Sequence, residues 1–350
     1  MKKILVTGGS GFIGTNFIKF VLDKFPSWQI FNLDALTYAG NLENHGDLEQ
    51  EIRYNFIHGN INDPVLLGDL FSKYEFDAVF HFAAESHVDR SILDPLAFIT
   101  TNVHGTFRLL EASLKYYEAS NNPDFKFIHV STDEVYGSLG FDDPAFEETT
   151  PYDPSSPYSA SKASSDHLVK AYFKTYGLPT LITNCSNNYG PYQFPEKLIP
   201  LTILNILNEK ALPVYGTGEN IRDWLYVLDH CDALTQAYCK GVPGETYNIG
   251  GGEEKKNLDV VETICGIMDK KLEGLPQGKD PSNRLIEFVQ DRKGHDLRYA
   301  INPKKTRAQL GWSAKYSFEK ALSNTIDWYL GHREWTRSIE TKEYLGTRTN

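Results

Sequence analysis

The first half of the chain alternates six short apolar runs with helix-length amphipathic stretches, a rhythm that a parallel sheet flanked by helices accommodates. The strand-like runs are 4–7, 29–33, 54–58, 78–82, 126–131 and 180–183. Helix-like stretches between them include 13–25, 64–73, 95–117 and 157–176. Within 95–117, Val103, Phe107, Leu110 and Leu114 recur at helical spacing. Strands alternating with helices build βαβ units with right-handed crossovers, so the predicted fold class is α/β with a doubly wound parallel sheet.

After Asn184 the rhythm changes. Pro and Gly become frequent (Gly190, Pro191, Pro195, Pro200, Pro213, Gly216, Gly218), and helices at 198–208 and 258–270 are separated by short strands. This reads as a smaller, mixed α/β lobe. The predicted division is 1–185 and 186–350, with later strands near 222–227 and 245–249 returning to the first sheet. The stretch 272–283 reads as a linker-like loop.

Charge and cysteine usage narrow the function. The 350 residues carry 35 Lys plus Arg against 46 Asp plus Glu, a net charge of −11, which excludes a general nucleic-acid binder. An anionic small molecule remains possible where a few cations converge. Cys185, Cys231, Cys239 and Cys265 form no CxxC pair and sit in apolar patterned segments, so they read as buried reduced thiols, with no metal site predicted. The run Ile4-Leu5-Val6 is too short for a signal-peptide core, and no run reaches the ~18 apolar residues of a membrane span. A cytoplasmic chain is expected.

Gly8-Gly9-Ser10-Gly11-Phe12-Ile13-Gly14 follows the first strand and opens the first helix. Gly8 permits the tight turn, Gly11 lets backbone approach a pyrophosphate, and Gly14 lets helix pack on strand. Unpaired N–H groups and the helix dipole then face the anion. Asp34 ends the second strand 20 residues after Gly14. An acid there accepts from a ribose diol and repels a 2′-phosphate, favouring NAD over NADP.

Pro157 suits a first helical position, and Tyr158-Ser159-Ala160-Ser161-Lys162 follows it. Tyr158 and Lys162, four apart, share a helix face, and a nearby ammonium favours phenolate over phenol. Such a tyrosine can take a hydroxyl proton while hydride leaves the same carbon. Tyr and Lys at this spacing also occur by chance; the position after the fifth strand, with Thr132 at that strand's end, gives the pair its functional reading.

The segments TGGSGFIG, LDALTYAGN, FAAESHVDRSI, STDEVYG, YSASK, SNNYGPYQFPEKLIP, IRDWLYV, YNIGG and DRKGHDLRYAI occur in that order from residue 2 to about 330. Together they resemble the extended short-chain dehydrogenase/reductases, and within them the branch that dehydrates dTDP-glucose. The resemblance implies a Rossmann-type sheet with a smaller substrate lobe, NAD as cofactor and a homodimer formed through helices near 100–118 and 158–176. It implies cofactor contacts from Gly8, Gly11, Phe12, Ile13, Gly14, Asp34, Ala35, Leu36, Thr37, Asn60, Ile61, Phe82, Ala83, Ala84, Ser86, Thr101, Tyr158, Lys162 and Asn188. Three positions depart from the family pattern. Asn60 stands where an Asp is usual, Leu228 where a Glu is usual, and Lys293 where a Pro is usual.

Thr132-Asp133-Glu134 sits at the carboxyl end of a predicted strand, where ligands lie in open parallel sheets. In an extended segment the two adjacent carboxyls point different ways. The resemblance assigns Thr132, Asp133, Glu134, Tyr158 and Lys162 to catalysis, Glu134 removing the proton on carbon 5 and Asp133 protonating the hydroxyl leaving carbon 6. One must be ionised and the other protonated, which needs environments that split them. For the nucleotide sugar the resemblance implies Ser86, Thr132, Asn187, Lys197, Leu198, Pro213, Tyr215, Arg222, Asn257, Asp291 and His295. Arg292 is a further candidate cation, and Arg222 suits bidentate phosphate contact. Arg53, Lys73, Lys304 and Lys305 lie outside these motifs and read as solvated.

Two rival enzyme readings remain, a nucleotide-sugar 4-epimerase and a 4,6-dehydratase for another nucleotide sugar. A catalytically silent NAD-binding module is a third reading, of another class. The epimerase needs Tyr158, Lys162 and NAD but has no use for Asp133 and Glu134; the silent module would need neither pair.

Overall fold

The computed structural model describes residues 1–120, 122–272, 280–292 and 294–341. Its strands are β1 (Lys2–Thr7), β2 (Trp28–Asp34), β3 (Tyr54–His58), β4 (Ala78–His81), β5 (Lys126–Thr132), β6 (Thr180–Cys185), β7 (Asn187–Tyr189), β8 (Leu212–Tyr215), β9 (Ile221–Tyr226), β10 (Thr246–Ile249), β11 (Glu254–Lys256) and β12 (Ile286–Val289). Seven of them form one sheet in the order β10-β6-β5-β4-β1-β2-β3, and its neighbouring strands pair in parallel.

Ile4, Leu5 and Val6 are fully buried because both faces of a central parallel strand are covered. Alternation sends Ile4 and Val6 into one apolar layer with Phe80 and Ile128, under the helices Phe12–Lys24 and Val227–Lys240. Leu5, Val79 and Phe127 enter the other layer, under Pro64–Lys73, Thr106–Ala119 and Pro157–Tyr176. Every strand of the sheet therefore points its carboxyl end to one rim, where ligands gather in this architecture.

A second core joins the helices Leu198–Leu207, Asn257–Leu272 and Phe318–Gly331 to two small sheets, β11-β9-β7 and β12-β8. The strand expected near 222–227 does not return to the large sheet. β9 pairs with β7 and β11 instead, while β10 takes the sheet edge beside β6. The reason lies in its packing: Trp224 and Tyr226 enter the second core and Leu225 the first, so β9 stands between the lobes.

Other expectations need correction. The stretch 95–117 is not one α-helix; Pro95–Phe98 and Thr106–Ala119 flank the wider π-turns of Ile99–Gly105. There the Asn102 side chain exchanges bonds with the Glu85 backbone (2.8 and 3.0 Å) and donates to Ser161 Oγ (2.8 Å). Cys239 is exposed, unlike the three buried cysteines, and all four are free thiols. Arg53 is not simply solvated, since it pairs with Glu51 and donates to the Leu22 and Phe25 carbonyls; Lys305 pairs with Glu245. Lys73 and Lys304 are exposed. Of the linker-like stretch 272–283, residues 273–279 lie outside the described residues, as does Lys293.

The helix Arg333–Thr341 crosses back to the first lobe. Trp335 Nε1 donates to Asn44 Oδ1 at 2.7 Å, and Ser338 Oγ to Glu43 at 2.9 Å. Among the described residues no helix is long and apolar enough to cross a membrane.

Candidate active site

β1 ends where the glycine turn begins, and close approach dictates the residues. Gly8 has φ +72°, and a Cβ on it would lie 2.6 Å from the Ala83 backbone. A Cβ on Gly14 would lie 2.4 Å from the Gly8 carbonyl oxygen. Gly11 has no such obstruction on its own side, so its bare backbone is open to a ligand. The turn is braced from behind: Asn44 Nδ2 donates to the Ser10 carbonyl (3.0 Å), and His45 Nε2 lies 3.0 Å from the Gly9 carbonyl. Asp34, buried at the end of β2, accepts the backbone N–H groups of Ser10 (2.8 Å) and Leu36 (2.7 Å).

One cleft runs from this turn along the sheet's carboxyl rim, and every residue predicted to touch the cofactor lines it except Leu36. Leu36 adopts φ +49° and turns its side chain into the protein, leaving its N–H to anchor Asp34. Sequence reasoning missed Tyr38, Glu85, Gln193, Phe194 and Glu196, which also line the cleft. Tyr38 lies under the Arg90 guanidinium (3.8 Å to the ring centre) and sets its ring edge-on to Phe194, and Glu196 lies 3.6 Å from His87, so the last two contacts join the lobes. Tyr38 stands inside the quoted segment LDALTYAGN and Gln193 to Glu196 inside SNNYGPYQFPEKLIP, where the signal lay.

At the end of β5 the chain does not stay extended. Asp133–Tyr136 forms a 3₁₀ turn, capped by Thr132, whose hydroxyl accepts the Glu134 N–H at 3.3 Å. The turn, rather than strand alternation, separates the two carboxyls. Asp133 is fully buried, and its Oδ2 has no hydrogen-bond partner among the described residues. Burial pushes its carboxyl well above the ordinary range, and the charges of Glu134 and Asp223 add to the shift. Burial also raises Glu134, but the cations Arg292, Lys197 and Arg222 hold it back. The environments thus split the pair, with Asp133 the better proton donor and Glu134 the better base.

A stability consequence has a definite sign. The unfolded chain ionises Asp133 near its ordinary ~3.9, whereas the folded chain holds the proton to higher pH. The folded state binds more protons through that interval, so this group's contribution to stability is present at low pH and lost as pH rises. Asp133→Asn should therefore raise the melting temperature near neutral pH, and the gain should shrink below about pH 4. Calorimetry across pH checks it; an unchanged or lower melting temperature at neutral pH would contradict the buried-charge reading.

The helix Pro157–Tyr176 starts firmly, with Pro157 in its first turn and Ser156 and Ser159 in a reciprocal capping box. It brings Tyr158 and Lys162 into the cleft with Thr132, Asp133 and Glu134. Burial raises the Tyr158 phenol, and the Glu134 charge adds to it. Burial lowers the Lys162 ammonium, which donates to the Val130 carbonyl at 2.9 Å.

Of the predicted sugar-nucleotide residues, Ser86, Thr132, Asn187 and Lys197 line the cleft. Lys197 Nζ donates to the Ser86 carbonyl at 3.3 Å, and Asn187 Oδ1 is buried without a partner among the described residues. Leu198, Pro213, Tyr215, Arg222, Asn257, Asp291 and His295 do not line it. Several of these form a neighbouring group in the second lobe. Arg222 stacks 4.2 Å over Tyr299, His295 Nδ1 meets Asp291 Oδ1 at 2.6 Å, and Tyr215 sets its ring edge-on to His295.

The family model described as GDP-mannose 4,6 dehydratase matches residues 5–325. A dTDP-glucose 4,6-dehydratase of Escherichia coli is 53% identical over 357 residues, covering 99% of this chain and 98% of its own. The crystal structure of a dTDP-glucose 4,6-dehydratase from Bacillus anthracis in complex with NAD is 46% identical with a TM-score of 0.86, covering 97% of this chain and 100% of its own. One from Streptomyces venezuelae with NAD and TYD bound is 43% identical with a TM-score of 0.87, covering 96% and 99%. A family match across nine-tenths of the chain, with relatives this similar over their whole length, leaves one assignment: the chain belongs to the GDP-mannose 4,6-dehydratase family of nucleotide-sugar enzymes.

Proposed function

We propose that this chain is a hydro-lyase that dehydrates dTDP-glucose to its 4-keto-6-deoxy derivative with a bound NAD. The observation that carries the reading is the convergence of two pairs, Tyr158 with Lys162 and Asp133 with Glu134, on the cleft that starts at the glycine turn. The residues fit NAD: the turn is bare where a Cβ would block a pyrophosphate, and Asp34 stands ready for a ribose. When bound there, NAD supplies the acceptor for the carbon 4 hydride and gives that hydride back to carbon 6.

The chain's own residues do the rest. Tyr158 takes the carbon 4 hydroxyl proton, aided by the Lys162 charge. The resulting ketone acidifies carbon 5, whose proton Glu134 removes. Asp133, held protonated by burial, gives its proton to the hydroxyl leaving carbon 6, so water departs in place of hydroxide. Glu134 then returns its proton to carbon 5. An epimerase would leave both carboxyls without a task, which is why the dehydratase is preferred. Lys197 and the Arg222 and His295 group would serve the diphosphate.

Incubating the protein with dTDP-glucose carrying deuterium on carbon 4 tests the reading. The label should appear on carbon 6 of the same molecule, over many turnovers and without consuming added NAD. Label scrambled between molecules, or a carbon 4 epimer as product, would overturn it. Asp34→Ala removes a ribose acceptor, a charge that repels a 2′-phosphate and the anchor for two backbone N–H groups. Bonds to a charged group contribute about 1.5–3 kcal/mol, so NAD affinity should fall roughly 10- to 100-fold while discrimination against NADP narrows. Unchanged NAD affinity in a calorimetric titration would reduce Asp34 to a loop residue.

The working form is read as a cytoplasmic homodimer. Free cysteines suit a reducing compartment. Leu93 (86% exposed), Leu96 (70%) and Ile99 (49%) leave an apolar strip beside the helices Thr106–Ala119 and Pro157–Tyr176 that a second copy would cover. A monomeric sedimentation mass would overturn the dimer.

A further inference from the structure

Lys162 is 4% exposed, and burial works against its charge. A neutral amine could not favour the phenolate of Tyr158, so the ammonium needs a counter-charge. Its firm acceptor, the Val130 carbonyl, is uncharged. One turn further along the same helix stands Asp166, fully buried, so that Tyr158, Lys162 and Asp166 form a single stripe at four-residue spacing. Between ammonium and carboxylate lies the fully buried imidazole of His129, from the adjacent strand β5. Its Nε2 is 3.2 Å from Asp166 Oδ1 and 3.4 Å from Lys162 Nζ. Its other nitrogen, Nδ1, has no partner among the described residues.

The carboxylate is aimed. Ser131 Oγ and Tyr152 OH donate to Asp166 Oδ2 at 2.8 and 2.9 Å, while Oδ1 faces the imidazole without a hydrogen-bond partner among the described residues. None of Ser131, Tyr152, His129 or Asp166 is needed by the proton transfers proposed above. An isolated buried carboxylate is expensive, and Lys162 is the cation that most offsets it.

We propose that Asp166 is the counter-charge that keeps Lys162 an ammonium, its field acting across His129, whose Nε2 accepts from that ammonium and fixes it in the cleft, making both positioning residues for the hydride-transfer step. The proposal rests on the dehydratase reading only for its kinetic arm. Other ionisable groups face the same place: His81 from β4, Cys185 from β6, Asp133 and Glu134 from the turn after β5, Tyr152, and Lys170 on the helix itself. Of these, the electrostatics favour the charged Lys162 through Asp166 first and Cys185 second.

The test is Asp166→Asn, which removes charge but little volume. In the holoenzyme, the near-ultraviolet tyrosinate signal of Tyr158 is obtained as the difference from the same chain carrying Tyr158→Phe. With Asp166→Asn that titration should move up by about one pH unit. The rising limb of cofactor reduction by dTDP-glucose should move with it, a roughly tenfold loss on that limb. Tyr152→Phe, which loses one of the two bonds aiming the carboxylate, should shift both in the same direction by less. It decides the matter if Asp166→Asn does not fold. A slower reaction with an unmoved midpoint would mean a merely structural role and would overturn the proposal. If the wild type fails to reduce its cofactor with dTDP-glucose, the dehydratase reading fails, and the spectroscopic titration alone decides this one.

Discussion

Glu134→Gln should slow product formation about 10²–10⁴-fold while the protein still reduces its bound cofactor on mixing with dTDP-glucose. The amide keeps the size of the side chain but cannot take the carbon 5 proton. Oxidation at carbon 4 is assigned to Tyr158 and Lys162, which sit on another element, and should partly survive. Absorbance of the reduced cofactor should therefore build up without matching product, and exchange of the carbon 5 proton into deuterated water should slow. Asp133→Asn should separate from it: carbon 5 exchange persists while loss of water falls, because the donor for the departing hydroxyl is gone. Near wild-type dehydration by Glu134→Gln would remove Glu134 from its role as base. Normal turnover of both variants to the carbon 4 epimer would favour the epimerase instead.

The second large effect is expected from one methyl group. In Gly14→Ala the added Cβ would lie 2.4 Å from the Gly8 carbonyl oxygen and 2.6 Å from Gly9 Cα. Both obstacles are backbone of the turn that faces the cofactor, so no side chain can swing aside. Overpacking of this kind costs about 1–3 kcal/mol, and here it displaces the N–H groups that would meet the pyrophosphate. The purified variant should carry little NAD and should melt several degrees lower. Gly266→Ala, whose added Cβ meets nothing within 4 Å in the helix Asn257–Leu272, serves as the control and should be stable and NAD-replete. If Gly14→Ala retains its cofactor, the turn approaches its ligand differently from the way proposed.

What could be read from the chain followed from local chemistry. The glycine turn, Asp34 and the Tyr158–Lys162 spacing are short-range patterns, and each strand of the large sheet up to β6 showed itself as an apolar run. Failures came where position depends on distant partners. The apolar character of β9 does not say which sheet receives it, and its side chains divide between both cores. The π-turns at Ile99–Gly105 keep helical spacing, so periodicity runs straight through them. Strand alternation suggested divergent carboxyls at 133 and 134, whereas a turn capped by Thr132 separates them. His129 and Asp166 gave no signal, because a polar residue inside an apolar strand or an amphipathic helix identifies no partner until the two elements are packed.

The contact between Trp335 and Asn44 joins residues 291 positions apart. Asn44 in turn holds Ser10, so the brace behind the nucleotide turn is completed by the last helix described. A chain emerging from the ribosome can assemble β1 and the turn early, but closing that loop waits on some three hundred later residues. Contacts of such long sequence separation slow folding, because the entropy of closure is lost before any contact repays it. Recovery of cofactor affinity should consequently trail recovery of helical structure during refolding, and ligand capture becomes a late event in this protein's maturation.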